Sequence, residues 1–171
     1  MNDFFSKTDL SRKDAESIIS ETLNKCDDGE LYLENSKSES IVLDDDKIKS
    51  STYKSDLGYG LRAITGEVVA YSHSNEISKN SLKQSADNLR STLKSQNGVY
   101  NHEIPKTNKK FYKAINPIEE KLLQTKLELL KEVNSYTRAK GGIVQQVTAS
   151  FAGEHKSIEI IRSGGEVLTD V

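Results

Sequence analysis

The residues of this chain that could hold a metal ion are its histidines, which stand far apart at His73, His102 and His155. His102-Glu103 begins like a zinc-binding helix that presents two histidines one turn apart. However, Lys106 and Thr107 occupy the positions where a second histidine would stand, and Pro105 would break the helix. None of the histidines has a second ligand at helical spacing. The sequence therefore predicts no metal-binding residue.

Two other groups of residues could carry catalysis or bind a phosphate. Cys26 ends a helical apolar stripe and has no identifiable activating neighbour, which predicts a buried thiol rather than a nucleophile. No serine stands in the strand-turn-helix pattern of a hydrolase nucleophile. Gly58-Tyr59-Gly60 lies within a strand and not at a strand-to-helix turn, so it does not predict a phosphate site. We therefore expect no catalytic and no cofactor-binding residue in this chain.

The glycines of that strand indicate a close approach instead. Gly58 and Gly60 would weaken a strand unless a neighbouring segment or a ligand comes near on their face. Packing is the favoured interpretation, and a small-ligand pocket around Gly58 to Arg62 is the other. Arg62 stands alone among glycine and apolar residues, so it could bind a carboxylate from a partner domain or lie on a solvated face.

Composition narrows the class of protein. Of the 171 residues, 35% are hydrophobic and the formal net charge is -2, with 24 basic and 26 acidic residues. This balance gives no basic surface for nucleic acid, and the lysines of residues 106–113 indicate a solvated connector. A single cysteine rules out an internal disulfide and is typical of a reducing compartment. Without a signal peptide or a run of roughly 20 apolar residues, the sequence predicts a soluble, cytoplasmic protein and no membrane contact.

The amino-terminal half predicts a helix, a series of antiparallel strands and a second helix. Ser11 is the expected cap of the first helix, residues 12–26. Strands are predicted at residues 31–33, 39–43, 47–53, 57–64 and 68–71. The turns between the later strands are predicted at Asp44-Asp45-Asp46, Lys54-Ser55-Asp56 and Thr65-Gly66. Ser78 is the expected cap of a helix that reaches about Lys94.

The carboxy-terminal half predicts one long helix and then three strands. Asn116 and Pro117 favour a helix start, and an apolar stripe from Ile118 to Tyr136 carries the helix to residues 138–140, roughly 35 Å in all. Alternating residues predict strands at 143–151, 155–161 and 166–171, with a turn at Gly164-Gly165. The last strand runs directly into the C-terminus, so we interpret the chain as a piece of something longer.

These elements predict an α+β fold. Helices cover an antiparallel or mixed sheet, and a long helix and the start of a second β-meander unit come after it. The predicted domains are residues 1–95, an N-terminal α+β domain, and residues 117–171, the start of a second, middle α+β domain. Residues 96–116 are the predicted linker.

Several of these segments resemble the N-terminal region of the TldD/TldE (PmbA) family, which is named for the modulation of DNA gyrase and is viewed as a family of zinc metallopeptidases. The resemblance lies in the strings Leu31-Tyr32-Leu33-Glu34, residues 45–53 (DDKIKSSTY), residues 57–64 (LGYGLRAI), Tyr71-Ser72-His73-Ser74, Asn116-Pro117-Ile118 and residues 144–150 (VQQVTAS). It covers nearly the whole chain and is closer to the TldD branch than to the TldE branch.

The resemblance implies a protease that trims or matures peptides and pairs with a sister TldE/PmbA-like subunit or forms a homodimer. Family members bind zinc through an HExxxH-type motif aided by a cysteine, in regions C-terminal to those shown here. No position of this sequence matches that motif, so no catalytic or metal residue is carried over. We expect the isolated chain to bind no zinc and to cleave no peptide.

The sequence leaves two hypotheses. In the first, the chain is the N-terminal part of a TldD-like metallopeptidase and forms cavity wall and subunit contacts around a zinc site housed elsewhere. In the second, it is a stand-alone protein-interaction module that acts through sheet-edge or helix contacts and has no enzymatic activity.

Overall fold

The computed structural model describes residues 4–93, 98–99 and 113–171 of the chain. In chain order, its elements are α1 (Arg12–Leu23), β1 (Asp28–Asp44), β2 (Lys47–Thr65), β3 (Val68–Ser74), α2 (Lys79–Thr92), α3 (Pro117–Glu120), α4 (Leu123–Arg138), β4 (Thr148–Arg162) and β5 (Val167–Asp170). The strands of these ranges form an open antiparallel sheet with the order β3-β2-β1-β4-β5. The predicted α+β class is confirmed. Most of the predicted linker, including His102 and Pro105, lies outside the described residues.

The chain divides into two compact units. The first comprises Met1–Asn35, Asp56–Lys113 and Ser157–Val171, and the second comprises Ser36–Ser55 and Ala114–Lys156. Strands β1, β2 and β4 each contribute residues to both units. The sequence-based boundaries at residues 95 and 117 stay a prediction.

The first unit builds its core from strand alternation and from two helices. In β1, Leu31 and Leu33 are fully buried, whereas Tyr32 and Glu34 between and beyond them are partly exposed. The helices α1 and α2 pack against each other, and α2 packs against β3. The core side chains that these two helices supply are Ala15, Ile19, Leu23, Leu82, Ala86 and Leu89. Burial of each large aliphatic side chain contributes about 1.5–3 kcal/mol to stability.

Both helices of the first unit begin where the sequence predicts. The Ser11 side chain accepts a hydrogen bond from the backbone N–H of Asp14, and Ser78 accepts one from Ser81. The first helix nevertheless ends at Leu23, three residues before the predicted Cys26. The backbone N–H of Cys26 donates to the Leu23 carbonyl, which closes a tighter turn there.

The second unit has a small apolar core and one buried ion pair. Ile41 and Leu43 of β1 pack with Leu130 of α4. Beside them, the Lys126 ammonium lies 2.5 Å from the Glu39 carboxylate, with only 6% and 10% of the two side chains exposed. Two charged side chains, Lys126 of α4 and Glu39 of β1, are therefore buried where apolar side chains would be expected.

The strands are longer and fewer than predicted. Residues 31–33 and 39–43 belong to the single strand β1, and Lys54-Ser55-Asp56 continues β2 instead of forming a turn. Likewise, residues 148–162 form one strand where two were predicted, while residues 143–147 lie outside any strand. Backbone pairing between strands does not require apolar side chains, so polar residues interrupt the hydrophobic pattern without ending the strand.

The prediction of one long helix from residue 117 to residues 138–140 is wrong, because the helix is interrupted at Lys121 and Leu122. Both residues are extended, with ψ angles of 136° and 147°. In a continuous helix the Ile118 carbonyl would accept from the N–H of Leu122. Here that carbonyl accepts from the Lys126 ammonium at 2.6 Å instead.

The predicted apolar stripe of this helix is also mostly exposed. The buried face of α4 carries Lys126, Leu130 and Asn134, which are four residues apart. Leu122, Val133 and Tyr136 expose 77%, 44% and 65% of their surface. Apolar periodicity thus identified the helix but not the face that it buries.

Candidate functional site

The sheet of the first unit has one face turned away from α1 and α2. Tyr59 marks the covered face, because its hydroxyl lies 2.8 Å from that of Ser81 and 2.9 Å from that of Ser85, both on α2. Side chains alternate along a strand, so the neighbours of Tyr59 point the other way. In the first unit, the residues of this open face in β1, β2 and β3 are Asp28, Glu30, Tyr32, Glu34, Asp56, Gly58, Gly60, Arg62, Ile64, Val69, Tyr71 and His73.

A cleft of about 250 Å³ lies on this unit around the glycine strand. It is lined by Tyr32, Glu34, Asp56, Leu57, Gly58, Tyr59, Gly60, Tyr71, His73, Ser74 and Asn75. These residues come from β1, from β2 and from β3 with the loop after it. The cleft therefore depends on the register of three strands.

Both glycines are needed for close approach, as the sequence predicts. A Cβ at Gly60 would lie 2.7 Å from the Tyr71 hydroxyl oxygen and 3.1 Å from a carbon of its ring. A Cβ at Gly58 would lie 2.7 Å from the backbone oxygen of Ser74. Packing accounts for both glycines, and the same two residues also line the cleft. The two interpretations of the glycine strand are therefore compatible.

Aromatic rings and a carboxylate give the cleft its chemical character. The Tyr32 hydroxyl donates a hydrogen bond to the Glu34 carboxylate at 2.6 Å. Burial, this hydrogen bond and the charge of Glu34 together raise the pKa of Tyr32 far above its usual value, so the phenol stays protonated. The rings of Tyr71 and His73 stack with their centroids 5.7 Å apart.

Arg62 finds its carboxylate partners within its own chain. Its guanidinium lies 3.1 Å from Glu30 and 4.0 Å from Asp28, both on the neighbouring strand β1. Asp28 also pairs with Arg162 of β4 at 3.1 Å. Since 40% of the Arg62 side chain is exposed, the residue lies on a partly solvated face and pairs across strands there.

Zinc donors do not gather in the described part of the chain. Within residues 4–93, 98–99 and 113–171, no three side chains among His, Cys, Asp and Glu lie close enough together to hold a metal ion. Cys26 is buried, and burial raises the pKa of its thiol, which disfavours the reactive thiolate. These residues thus do not fit a zinc ion of the kind that the family resemblance implies.

The lining residues of the cleft were not predicted as a group. In the sequence, Tyr59 and Tyr71 fit ordinary cross-strand packing, and neither Glu34 nor Tyr32 stands out alone. The available signal was alternation, since Tyr32 and Glu34 share a face of β1 as do Tyr71 and His73 of β3. Separately, none of the helices among the described residues has the length and apolar character that a bilayer crossing requires.

Comparison with known proteins gives one consistent result. Residues 29–93 match domain 1 of the PmbA/TldA metallopeptidases. The metalloprotease TldD homolog of Buchnera aphidicola (subsp. Acyrthosiphon pisum) is 32% identical over 85% of this chain and 30% of its own length. The metalloprotease TldD homolog of Haemophilus influenzae is 30% identical over 85% of this chain and 31% of its own length. The chain thus spans about a third of the curated relatives that it matches.

Two solved structures share the fold of this chain. A protein from Bacteroides thetaiotaomicron that is named as a modulator of DNA gyrase superposes with a TM-score of 0.67 at 18% identity, over 92% of this chain and 38% of that one. TldE from Thermococcus kodakarensis superposes with a TM-score of 0.64 at 13% identity, over 92% of this chain and 37% of that one. At these identities the likeness concerns the fold alone.

Proposed function

Since this chain is related to the TldD/PmbA metallopeptidases, with residues 29–93 matching their first domain, we propose that it is the N-terminal, non-catalytic part of a TldD-like zinc metallopeptidase. Its task is to form part of the cavity wall and the subunit contacts around a zinc site that the rest of the full-length protein supplies. The full-length protein hydrolyses peptides in the cytoplasm.

The observation that carries this proposal is the match of most of the chain to about a third of each TldD homolog. The donors of a zinc site do not come together in the described residues. The open face of the sheet supports the role in a cavity wall, because it presents a cleft and polar side chains without a covering helix among those residues.

The exposed apolar residues of α4 support the role in subunit contact. Leu129, Val133 and Tyr136 stand at spacings of four and three and expose 49%, 44% and 65% of their surface. Acidic Glu119 and Glu120 precede this stripe, and basic Arg138 comes after it. An antiparallel helix with the same charge order would place unlike charges opposite each other. We propose that a sister TldE/PmbA-like subunit, or a second copy, packs here.

The catalytic part of the proposal is tested by measuring zinc and peptidase activity. The purified 171-residue chain should contain no stoichiometric zinc and cleave no unstructured peptide. A chimera in which the chain replaces the N-terminal third of the Haemophilus influenzae TldD homolog should bind zinc and assemble as that homolog does. Stoichiometric zinc or peptide cleavage in the isolated chain contradicts the proposal.

The subunit contact is tested in the same chimera by light scattering after gel filtration. Val133→Glu should weaken association, because it places a charge in an apolar interface. Ser135→Glu, on an exposed position of the same helix, is the matched control and should leave association unchanged. Equal behaviour of the two variants contradicts a contact on this stripe.

The stand-alone interaction module remains the second candidate, and the same exposed stripe of α4 favours it. The gene sequence downstream of the Val171 codon distinguishes the two candidates. An open reading frame that continues into an HExxxH-type helix supports the metallopeptidase, and a stop codon supports the module.

A further inference from the structure

We propose that the outer edge of β3 pairs with the same edge of a second copy of this chain, so that two sheets join into one across a twofold axis at Tyr71. The contact involves the first unit alone. It is separate from the exposed stripe of α4, and it does not depend on the proposed role in a metallopeptidase.

The outer edge of β3 has no partner strand in the described part of the chain. Strand β3 stands at one end of the sheet order and pairs with β2 alone. The turn that joins them consists of Gly66 and Glu67, and Gly66 has a φ of 59°. The pair beside such a two-residue turn is hydrogen bonded, and bonded pairs then alternate with pairs whose backbone groups point away. By this alternation, Val69, Tyr71 and His73 direct their N–H and C=O groups to the outer edge.

A contact on the other side of β2 supports the same alternation independently. The Ile64 carbonyl accepts a hydrogen bond from the backbone N–H of Asp27 at 2.8 Å, just before β1, so it points away from β3. Ile64 is the register partner of Val69. This pair is therefore not hydrogen bonded, and the backbone groups of Val69 point away from β2. Because the pattern repeats every second residue, those of Tyr71 and His73 do the same.

This edge lacks the features that keep exposed strands apart. Proteins protect sheet edges with charged residues, proline, bulges or very short strands. The seven residues of β3 include no charged residue and no proline, and they pair with β2 in an unbroken register. Val69 and Tyr71 are 59% and 64% exposed. By contrast, β5 at the other end of the sheet has only four residues and ends at Asp170. An unprotected edge of this kind indicates a strand that another strand covers.

The spacing of the outward residues fits a second copy of the same strand. Val69 and His73 lie two residues on either side of Tyr71. In an antiparallel pairing about a twofold axis, Tyr71 faces Tyr71 of the second copy, and Val69 faces His73 of the second copy. Each outward N–H group then meets an outward carbonyl. Aromatic rings and a β-branched side chain form the cross-strand pairs, which is a favourable combination. No charged side chain lies within the paired segment.

The test is amide hydrogen exchange in the ¹⁵N-labelled 171-residue chain at two concentrations. The chain carries Val133→Glu throughout, which removes the contact proposed on α4. A small interface of this kind should have a dissociation constant on the order of 0.1 mM. By mass action, the amides of Val69, Tyr71 and His73 should then exchange about fourfold more slowly at about 1 mM than at about 20 μM. The amides of Ala70 and Ser72 bond to β2 in either state, so they are the internal controls and should not change.

Variants of the edge are tested in the same background by sedimentation equilibrium. Tyr71→Lys should raise the dissociation constant at least about tenfold, because it places like charges opposite each other across the axis. Val69→Lys is a second variant that leaves the contact between Tyr71 and Gly60 in place, and it should act in the same direction. The matched control is Tyr53→Lys, since Tyr53 is 55% exposed and lies outside β3. It should leave association unchanged.

Three results would overturn the proposal. The first is an equal exchange rate of the three outward amides at both concentrations. The second is unchanged association in both Tyr71→Lys and Val69→Lys, with circular dichroism showing that the variants are folded. The third is protection of these amides that appears only when an extended peptide is added, which would assign the edge to a different partner strand.

Discussion

The ring of Tyr71 lies across Gly60, with its hydroxyl oxygen 2.7 Å from the point where a Cβ at residue 60 would stand. The contact joins β3 to β2 on the open face of the sheet, where the register pairs Arg62 with Tyr71 and Gly60 with His73. A side chain lies against Gly60, whereas a backbone carbonyl lies against Gly58. This difference makes the two glycines unequal.

We predict that Gly58→Ala costs more stability than Gly60→Ala. At Gly58 the new methyl group meets the backbone oxygen of Ser74 at 2.7 Å, and such overpacking costs about 1–3 kcal/mol. At Gly60 the neighbouring Tyr71 side chain is 64% exposed and can rotate away. The loss of stability there should therefore stay below about 1 kcal/mol. Urea unfolding of both variants measures the difference. Equal losses, or a larger loss at Gly60, would contradict this account.

The buried ion pair of the second unit yields a second prediction. Lys126→Met leaves the Glu39 carboxylate buried without its partner, which should cost about 3–5 kcal/mol. The double change Lys126→Met with Glu39→Leu should recover much of that loss, since both charges are then gone. Urea unfolding of the single and double variants measures both effects.

Lys49→Met is the matched control for this ion pair, because Lys49 is 67% exposed and lies 3.7 Å from Asp44. It should cost less than about 1 kcal/mol. A loss at Lys126 no larger than the loss at Lys49 would show that the buried pair does not hold the second unit together.

The β1–β2 turn yields a third prediction. Asp45 and Asp46 have positive φ angles of 45° and 66°, which glycine adopts without strain. Asp46→Gly should therefore raise the free energy of unfolding by about 0.5–1 kcal/mol. Asp45→Gly is the contrasting variant, because the Asp45 carboxylate accepts from Arg138 and from the backbone N–H of Val147. In thermal melts, the melting temperature should rise for Asp46→Gly and fall for Asp45→Gly.

Acid sensitivity yields a fourth prediction. Hydrogen bonds from the backbone N–H groups of Gly66 and Val99 lower the pKa of Asp27 below its usual value. A carboxyl whose pKa is lower in the folded chain adds stability above its unfolded pKa near 4, and this stability is lost as the pH falls through the folded pKa. Three other carboxyls have a lowered pKa and therefore add to stability in the same way: Asp14, Asp44 and Glu119.

Asp27→Asn should therefore flatten the loss of stability between about pH 5 and pH 3, because one of the titrating carboxyls is gone. Urea unfolding at several pH values measures the slope. The control is Asp87→Asn, an exposed helix position. An unchanged slope in Asp27→Asn would contradict the contribution of this carboxyl.

The sequence was sufficient for the features that local chemistry decides. Ser11 and Ser78 cap their helices because a serine oxygen there meets free N–H groups. The three aspartates at 44–46 reverse the chain, and Gly165 adopts a φ of 79° in the last turn. The α+β class was predictable from the alternation of helical and strand periods.

Features that depend on tertiary contacts were not predictable. The break before α4 needs the Lys126 ammonium at the Ile118 carbonyl, and no local pattern indicates that a lysine will be buried. The cleft brings Tyr32 together with Tyr71, 39 positions later, through strand register. Each tyrosine alone fits ordinary packing, so the pair has meaning only once the sheet order is known.

Strand continuity across the two units has a consequence for dissection of the molecule. The first unit takes strands from both ends of the chain, with β1 near one end and β4 and β5 near the other. A polypeptide cut at residue 116 would lack two of the five strands and would leave the outer edge of β1 without its partner β4. Unpaired edges promote association between chains. Truncation at residue 116 should therefore yield a product that aggregates instead of a domain that folds on its own.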